Sequence, residues 1–320
     1  MPITLPIQDL EVVEKTSLKN NLGQSYIDFR QNLIPRYGRV AIDLLGGYAL
    51  LFLGVWIPLL LATYFPLLLP YLVLLSGIST GYWIAYLHLF MHEAAHFNVA
   101  PNRKWNDFIS DFFICSWSGQ NTAAYRIIHW NHHRFLGQPN DTEHSYFSTL
   151  NPRFLILALT GIAALKVTLF RGKNLENEKT TLGRLMPFIA LVLNSLVIGA
   201  LFFLRHWPFA VAWILGLVVF FPFFGALRQL LEHRSFMADS QVDYSKVPHG
   251  KTSRLFSSGP VNSTFGAAGF SLHLLHHWDP QVSYTRLVEV ENFLKETSLG
   301  EGITAAKTTY FKTFLKLFEF

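Results

Sequence analysis

Four apolar runs, at about 42–64, 71–91, 186–204 and 208–230, are each long enough to cross a bilayer as a helix, which takes roughly 20 residues. The charge content agrees with a membrane setting. Of 320 residues, 15% are Asp, Glu, Lys or Arg, where an average soluble domain carries about 25%. Pro66 and Pro70 bracket a very short turn between the first two runs, and the last two are joined as tightly. Turns that short leave only antiparallel neighbours. The expected fold is therefore all-α integral membrane, with four transmembrane helices in two hairpins. The polar stretches that carry most of the histidines are expected to form a cytosolic or interfacial helical cap.

On this reading residues 1–40 are a cytosolic amphipathic segment, 41–290 a membrane domain, and 291–320 a cytosolic or interfacial tail ending KTFLKLFEF. The apolar stretch 155–170 is short for a span and holds Lys166, so it is expected to lie at the interface or to re-enter. Of 26 Lys and Arg, only Arg205 falls on the far side of this layout. The positive-inside rule therefore puts both termini, the long loops and the histidine clusters of this multi-pass protein in the cytosol. No apolar h-region lies in the first 40 residues, so no signal peptide is expected.

Cys115 is the single cysteine, which excludes an intramolecular disulfide, a zinc ribbon and a CxxC redox pair. The net charge of +5 comes from loops rather than from a basic patch with interleaved aromatics. Nucleic acid is not an expected partner.

The chemistry lies in three histidine clusters: HEAAH at 92–96, HWNHH at 129–133 and HLLHH at 273–277. On a helix, residues at i, i+3 and i+4 project from one face. Each cluster can thus aim two or three imidazoles at one spot. Eight such histidines exceed what one tetrahedral zinc can use, and imidazole suits zinc, copper, iron and nickel alike. The arithmetic favours two metal ions. Read alone, HEAAH matches the HExxH of zinc peptidases. An intramembrane metalloprotease, however, would leave the other two clusters without a role. A histidine-rich metal transporter would need polar groups inside its spans, whose charged residues are only Asp43, near an edge, and Arg228, near the cytosolic end.

The three clusters, in this order and with paired spans between the second and third, resemble the membrane fatty acid desaturase and hydroxylase superfamily, marked by HxxxH, HxxHH and HxxHH. The approach to the last cluster, SRLFSSGPVNSTFGAAGFSLHLLHHWDP, is also similar, and the resemblance covers roughly residues 70–290. It implies a non-haem di-iron centre, two iron ions cycling between Fe2+ and Fe3+, that uses dioxygen and two electrons on an unactivated C–H bond. No side chain can supply that oxidising power. The expected activity is a fatty acid (acyl-lipid) desaturase acting on a long acyl chain in the membrane. A hydroxylase or carotenoid-type ketolase of the same superfamily is the alternative. Some relatives carry a fused haem domain with an HPGG motif and a third cluster that begins with glutamine. Here that cluster begins with His273 and no HPGG is present, so a separate electron donor, a ferredoxin or a cytochrome, is expected.

His92, His96, His129, His132, His133, His273, His276 and His277 are the expected ligands. His233, at the cytosolic end of the fourth run in RQLLEHRSF, is an expected ninth, because a Glu-His pair at this point is common in some branches of the family. His88 shares a helix face with His92 and is expected to support a ligand rather than to bind. Glu93, Glu232 and Asp279 are expected to orient imidazoles, with a turn role as the alternative for Asp279. Asp141, Glu143, His144 and His249 read as loop residues, and His206 lies on the wrong side of the membrane.

Overall fold

The structure, a computed structural model, describes Leu10, residues 13–161 and residues 181–320, and is 67% helix with almost no strand. Its first helices are α1 (Tyr26–Gln31), α2 (Tyr37–Tyr64), α3 (Leu69–Ala95), α4 (Arg103–Phe113), α5 (Thr122–Phe135) and α6 (Pro152–Leu159). Then come α7 (Thr181–Phe203), α8 (Trp207–Leu215) and, after a π-helical turn at Gly216–Phe220, α9 (Phe221–His233). The remainder comprises β1 (Leu255–Phe256), α10 (Pro260–Phe265), α11 (His273–Trp278), α12 (Leu287–Lys295), α13 (Gly300–Ala305), β2 (Lys307–Thr308) and α14 (Tyr310–Leu317). The chain divides into two compact units, one of residues 40–129 and 150–228, the other of residues 1–39, 130–149 and 229–319. Most of the expected interfacial stretch 155–170, with Lys166, lies outside the described residues; its start is the end of α6.

Four helical stretches have the length and hydropathy of membrane spans: Tyr37–Tyr64, Pro66–Ala95, Leu182–Phe203 and Trp207–His233. The second and fourth outrun the apolar runs that announce them. Polar residues at a span's end still satisfy their backbone groups best by continuing the helix. The second therefore carries His92 within it and has His96 as its C-cap, and the fourth ends on His233.

In the first unit the spans approach one another through small residues. A Cβ on Gly47 would meet Tyr86 and Leu87 at 2.7–2.8 Å, and one on Gly54 would meet Ser79 at 2.0 Å. These contacts run in opposite order along α2 and α3, as antiparallel neighbours require. On its other side α3 packs against the π-helical turn. A Cβ on Gly81 would meet Phe220 at 2.4 Å and the carbonyl of Gly216 at 2.8 Å. Close backbone approach of this kind is how helices associate where lipid offers no hydrophobic drive.

The end of α3 is fixed with unusual care. Phe97 takes the left-handed conformation (φ 61), its N–H reaches the Ala94 carbonyl at 3.1 Å, and the Asn98 N–H reaches the Glu93 carbonyl at 3.0 Å. That is a Schellman motif with phenylalanine where glycine is usual. The ring lies beneath two guanidinium groups, Arg126 at 4.0 Å and Arg103 at 4.5 Å. Arg126 also donates to the carbonyls of Ala95 (3.1 Å) and Ala94 (3.0 Å) and pairs with Asp107 at 2.5 Å.

The second unit has its own core, built from Leu10, Leu18 and Tyr26 of the N-terminal segment and from Leu275, Trp278, Leu287, Val290, Phe293 and Ile303. β1 and β2 pair in parallel, with Leu255 opposite Lys307, and the Tyr310 ring stacks on Phe256 at 3.7 Å and 12°. The chain beyond residue 300 is thus part of this packing, with Ile303, Tyr310 and Leu317 buried.

Candidate metal centre

Four histidines of the second unit converge. His132 comes from α5, His233 from the last position of α9, and His273 and His277 from successive turns of α11. One ligand atom from each lies within 4.8 Å of all the others. His132, His233 and His273 are each 1% exposed. Nε2 of His273 is 2.9 Å from Nε2 of His233 and 3.2 Å from Nε2 of His277.

These spacings allow a test of metal fit. Metal–imidazole bonds run about 2.0–2.1 Å, as in zinc sites, so nitrogens on adjacent corners of an octahedron would stand roughly 3 Å apart. The observed edges match that figure, and neutral imidazoles are suitable iron ligands. The outer nitrogens are also committed. The Thr252 carbonyl, which can only accept, takes the Nδ1 proton of His233 at 2.8 Å. Nε2 of His233 is therefore the ring's lone-pair nitrogen, and it faces His273. His132 Nδ1 lies 2.9 and 3.0 Å from the two oxygens of Asp141, leaving its Nε2 turned inward. Carboxylate and carbonyl partners of this kind set the tautomer of metal-binding histidines. Burial, together with the neighbouring imidazoles, holds the His277 pKa well below its usual value, so the ring is neutral as ligation requires.

The other five cluster histidines fall in two places. In the second unit, His133 and His276 face each other, Nε2 to Nε2, at 3.0 Å. In the first unit, His92, His96 and His129 form a buried triad. Nε2 of His129 is 2.9 Å from Nε2 of His96, and the rings of His92 and His129 are 4.3 Å apart. Burial, with Arg126 adding to it, lowers the His96 pKa to about 3. Glu93 Oε1 lies 3.6 Å from His92 Nδ1, beside the ligand it is expected to orient.

Several residues have surroundings that the sequence does not suggest. Asp141, read as a loop residue, is 3% exposed, holds His132 and accepts a hydrogen bond from the Tyr146 hydroxyl. Gly137, in the left-handed region at φ 75, turns the chain back after α5 and brings this aspartate within reach. Asp279 is corrected in the other direction. Its carboxylate is taken by Tyr26 (3.0 Å), Arg30 (2.6 and 3.2 Å) and Lys15 (3.7 Å), so it ties the N-terminal segment to the end of α11 and touches no imidazole. His88 bonds Ser118 at 3.0 Å and packs on Phe221, outside either metal-competent group. Glu232 accepts from the Tyr310 hydroxyl at 2.7 Å. Glu143 accepts from Gln229, His249 accepts from the Ser235 N–H, His144 caps a short turn, and His206 is the N-cap of α8.

Comparison with curated proteins finds no match for this chain. A family model described as fatty acid desaturase matches residues 68–308, a stretch that includes the nine histidines expected to be ligands. By that match the chain belongs to the fatty acid desaturase family, membrane oxidoreductases of the desaturase and hydroxylase type known for di-iron centres.

Proposed function

We propose that this protein is a dioxygen-dependent, di-iron desaturase acting on a long acyl chain held in the membrane. The four-histidine group is the observation that carries the reading. It contains neither histidine of HEAAH, so a single-zinc HExxH peptidase would leave it without purpose. His132, His233, His273 and His277 would hold one iron, and His92, His96 and His129 of the first unit and His133 and His276 of the second are the further candidate ligands. Bound iron would supply the activation of dioxygen that amino-acid side chains lack.

The chain's own residues do the rest. Asp141 and the Thr252 carbonyl keep the inward nitrogens of His132 and His233 free of protons. Glu93, buried 3.6 Å from Nδ1 of His92, places a carboxylate charge beside that ring without a hydrogen bond to it. The apolar spans shelter the acyl chain from water. The overall reaction balances as one saturated CH2–CH2 unit, one dioxygen, two electrons and two protons giving one CH=CH unit and two waters. A separate donor, a ferredoxin or a cytochrome, would deliver the electrons from the cytosolic side, where the Lys and Arg bias puts both termini and the histidines.

Expression in a host that lacks the activity, followed by mass spectrometry of its lipids, tests this. The expected product is an acyl chain two hydrogens lighter than its parent. An acyl chain heavier by one oxygen would establish the hydroxylase alternative instead. Unchanged lipids, with a carotenoid carrying a new keto group, would reassign the enzyme as a ketolase.

A further inference from the structure

We infer that Arg254 is a positioning residue for the four-histidine group, holding His233 and His273 in register with each other. Its side chain is 6% exposed, an expensive place for a charge unless the charge is bonded. The bonds it makes are specific. One guanidinium nitrogen donates to the Leu231 carbonyl at 2.9 Å and another to the Arg234 carbonyl. Those two carbonyls flank His233 at the end of α9, where a helix leaves its last carbonyls without partners. Donation from a charged group is the strong form of such a cap.

The same short segment serves the second ligand. The Arg254 carbonyl accepts from the N–H of Leu274, the residue after His273, at 3.1 Å. Two residues earlier, the Thr252 carbonyl holds Nδ1 of His233. Residues 252–254 therefore grip one histidine by its ring, its helix end by two carbonyls, and the helix of the other by its backbone. On the open side, the Phe236 ring covers the guanidinium at 4.2 Å. Arg234 continues the frame. It donates to the carbonyls of Tyr146 and Phe147 at 3.4 and 3.1 Å, and the Tyr146 hydroxyl bonds Asp141, the partner of His132.

This inference rests on the di-iron reading, and its test separates the two. Wild-type protein, Arg254→Lys, Arg254→Gln and Phe236→Ala would be purified in detergent and titrated anaerobically with ferrous 57Fe. Mössbauer spectra would then resolve the two irons, and gel filtration of the metal-free proteins would report on folding. Loss of a positioning partner typically weakens metal affinity about 10–100-fold. The expected result is that loss at one iron only, with an altered doublet for that iron, an unchanged signal from the other and normal elution. Phe236→Ala should shift the same doublet by less. Wild-type binding of both irons in the Arg254 variants, or equal disturbance of both signals, would overturn the inference. If neither Arg254 variant elutes as folded protein, Phe236→Ala decides: selective weakening upholds the inference and unchanged binding overturns it. A wild-type protein that never takes a second iron would sink the di-iron reading itself.

Discussion

His92, His96 and His129 come from the end of α3 and from α5, whereas His132, His233, His273 and His277 are gathered from three helices. Each set nevertheless includes the end of a membrane span capped by an arginine. At α3 the cap is Arg126, which donates to Ala94 and Ala95 and is balanced by Asp107. It sits one turn before His129 on α5, so cap and ligand move as one piece. At α9 the cap is Arg254, set in an irregular loop and reaching two carbonyls and the start of α11. The triad relies on helix regularity, and the quartet on a bracket of backbone carbonyls. The quartet should therefore be the set more sensitive to changes away from its ligands.

The largest expected effect is the loss of a ligand. His273→Ala removes the imidazole that meets both His233 and His277, and His96→Ala removes the one that meets His129. Each should abolish product and cut iron to about one per chain if two separate sites exist, as metal analysis can show. Loss of both irons from either variant would break the division into two sets. Next comes Gly81→Leu, which forces a side chain into backbone contacts of 2.7–2.8 Å. Overpacking usually costs about 1–3 kcal/mol and occasionally more, and with no room to yield here, loss of monodisperse protein on gel filtration is expected.

Asp141→Asn keeps shape but removes the carboxylate charge from His132. Metal affinity at the quartet should fall about 10–100-fold, while the triad's iron is undisturbed. An iron titration matching wild type would show that Asp141 only braces the loop. A smaller effect is expected at the triad. Phe97→Ala removes the ring under Arg103 and Arg126, worth about 0.5–1 kcal/mol for each cation at exposed sites. Phe97→Gly should cost less, because glycine escapes a left-handed strain of roughly 1–2 kcal/mol. Thermal midpoints that rank the two variants the other way would remove Phe97 from the account of how α3 ends.

The smallest effect concerns pH. Burial opposes ionisation of Glu291, yet bonds from Lys295 and from Lys307 (2.7 Å) hold its pKa below the usual value. A carboxylate lowered on folding adds stability above its unfolded pKa, about 4.3, and that stability is lost as pH falls through the folded value. Glu291→Gln should flatten the acid side of the thermal-midpoint profile and leave the neutral side nearly level. An unchanged acid limb would mean that the two lysines contribute nothing there.

The spans were legible because hydropathy marks them directly, although their ends were not, since His92 and His233 continue helices past the last apolar residue. The histidine clusters were legible because spacings of three and four place imidazoles on one helix face. The supports were mostly illegible. Thr252 acts through a backbone carbonyl, which any residue offers, and Arg254 binds carbonyls 23 and 20 positions earlier in the chain. Asp279 looked like a partner for its neighbour His277. Its real partners, Tyr26 and Arg30, stand 253 and 249 positions distant, where no local pattern could point.

Nine histidines, rather than the two of HEAAH, are expected to build this protein's metal chemistry. Metal analysis of the purified protein, expressed in iron-replete cells, tests this most directly. Two irons per chain are expected. A single zinc per chain, with proteolytic activity lost on chelation, would contradict it.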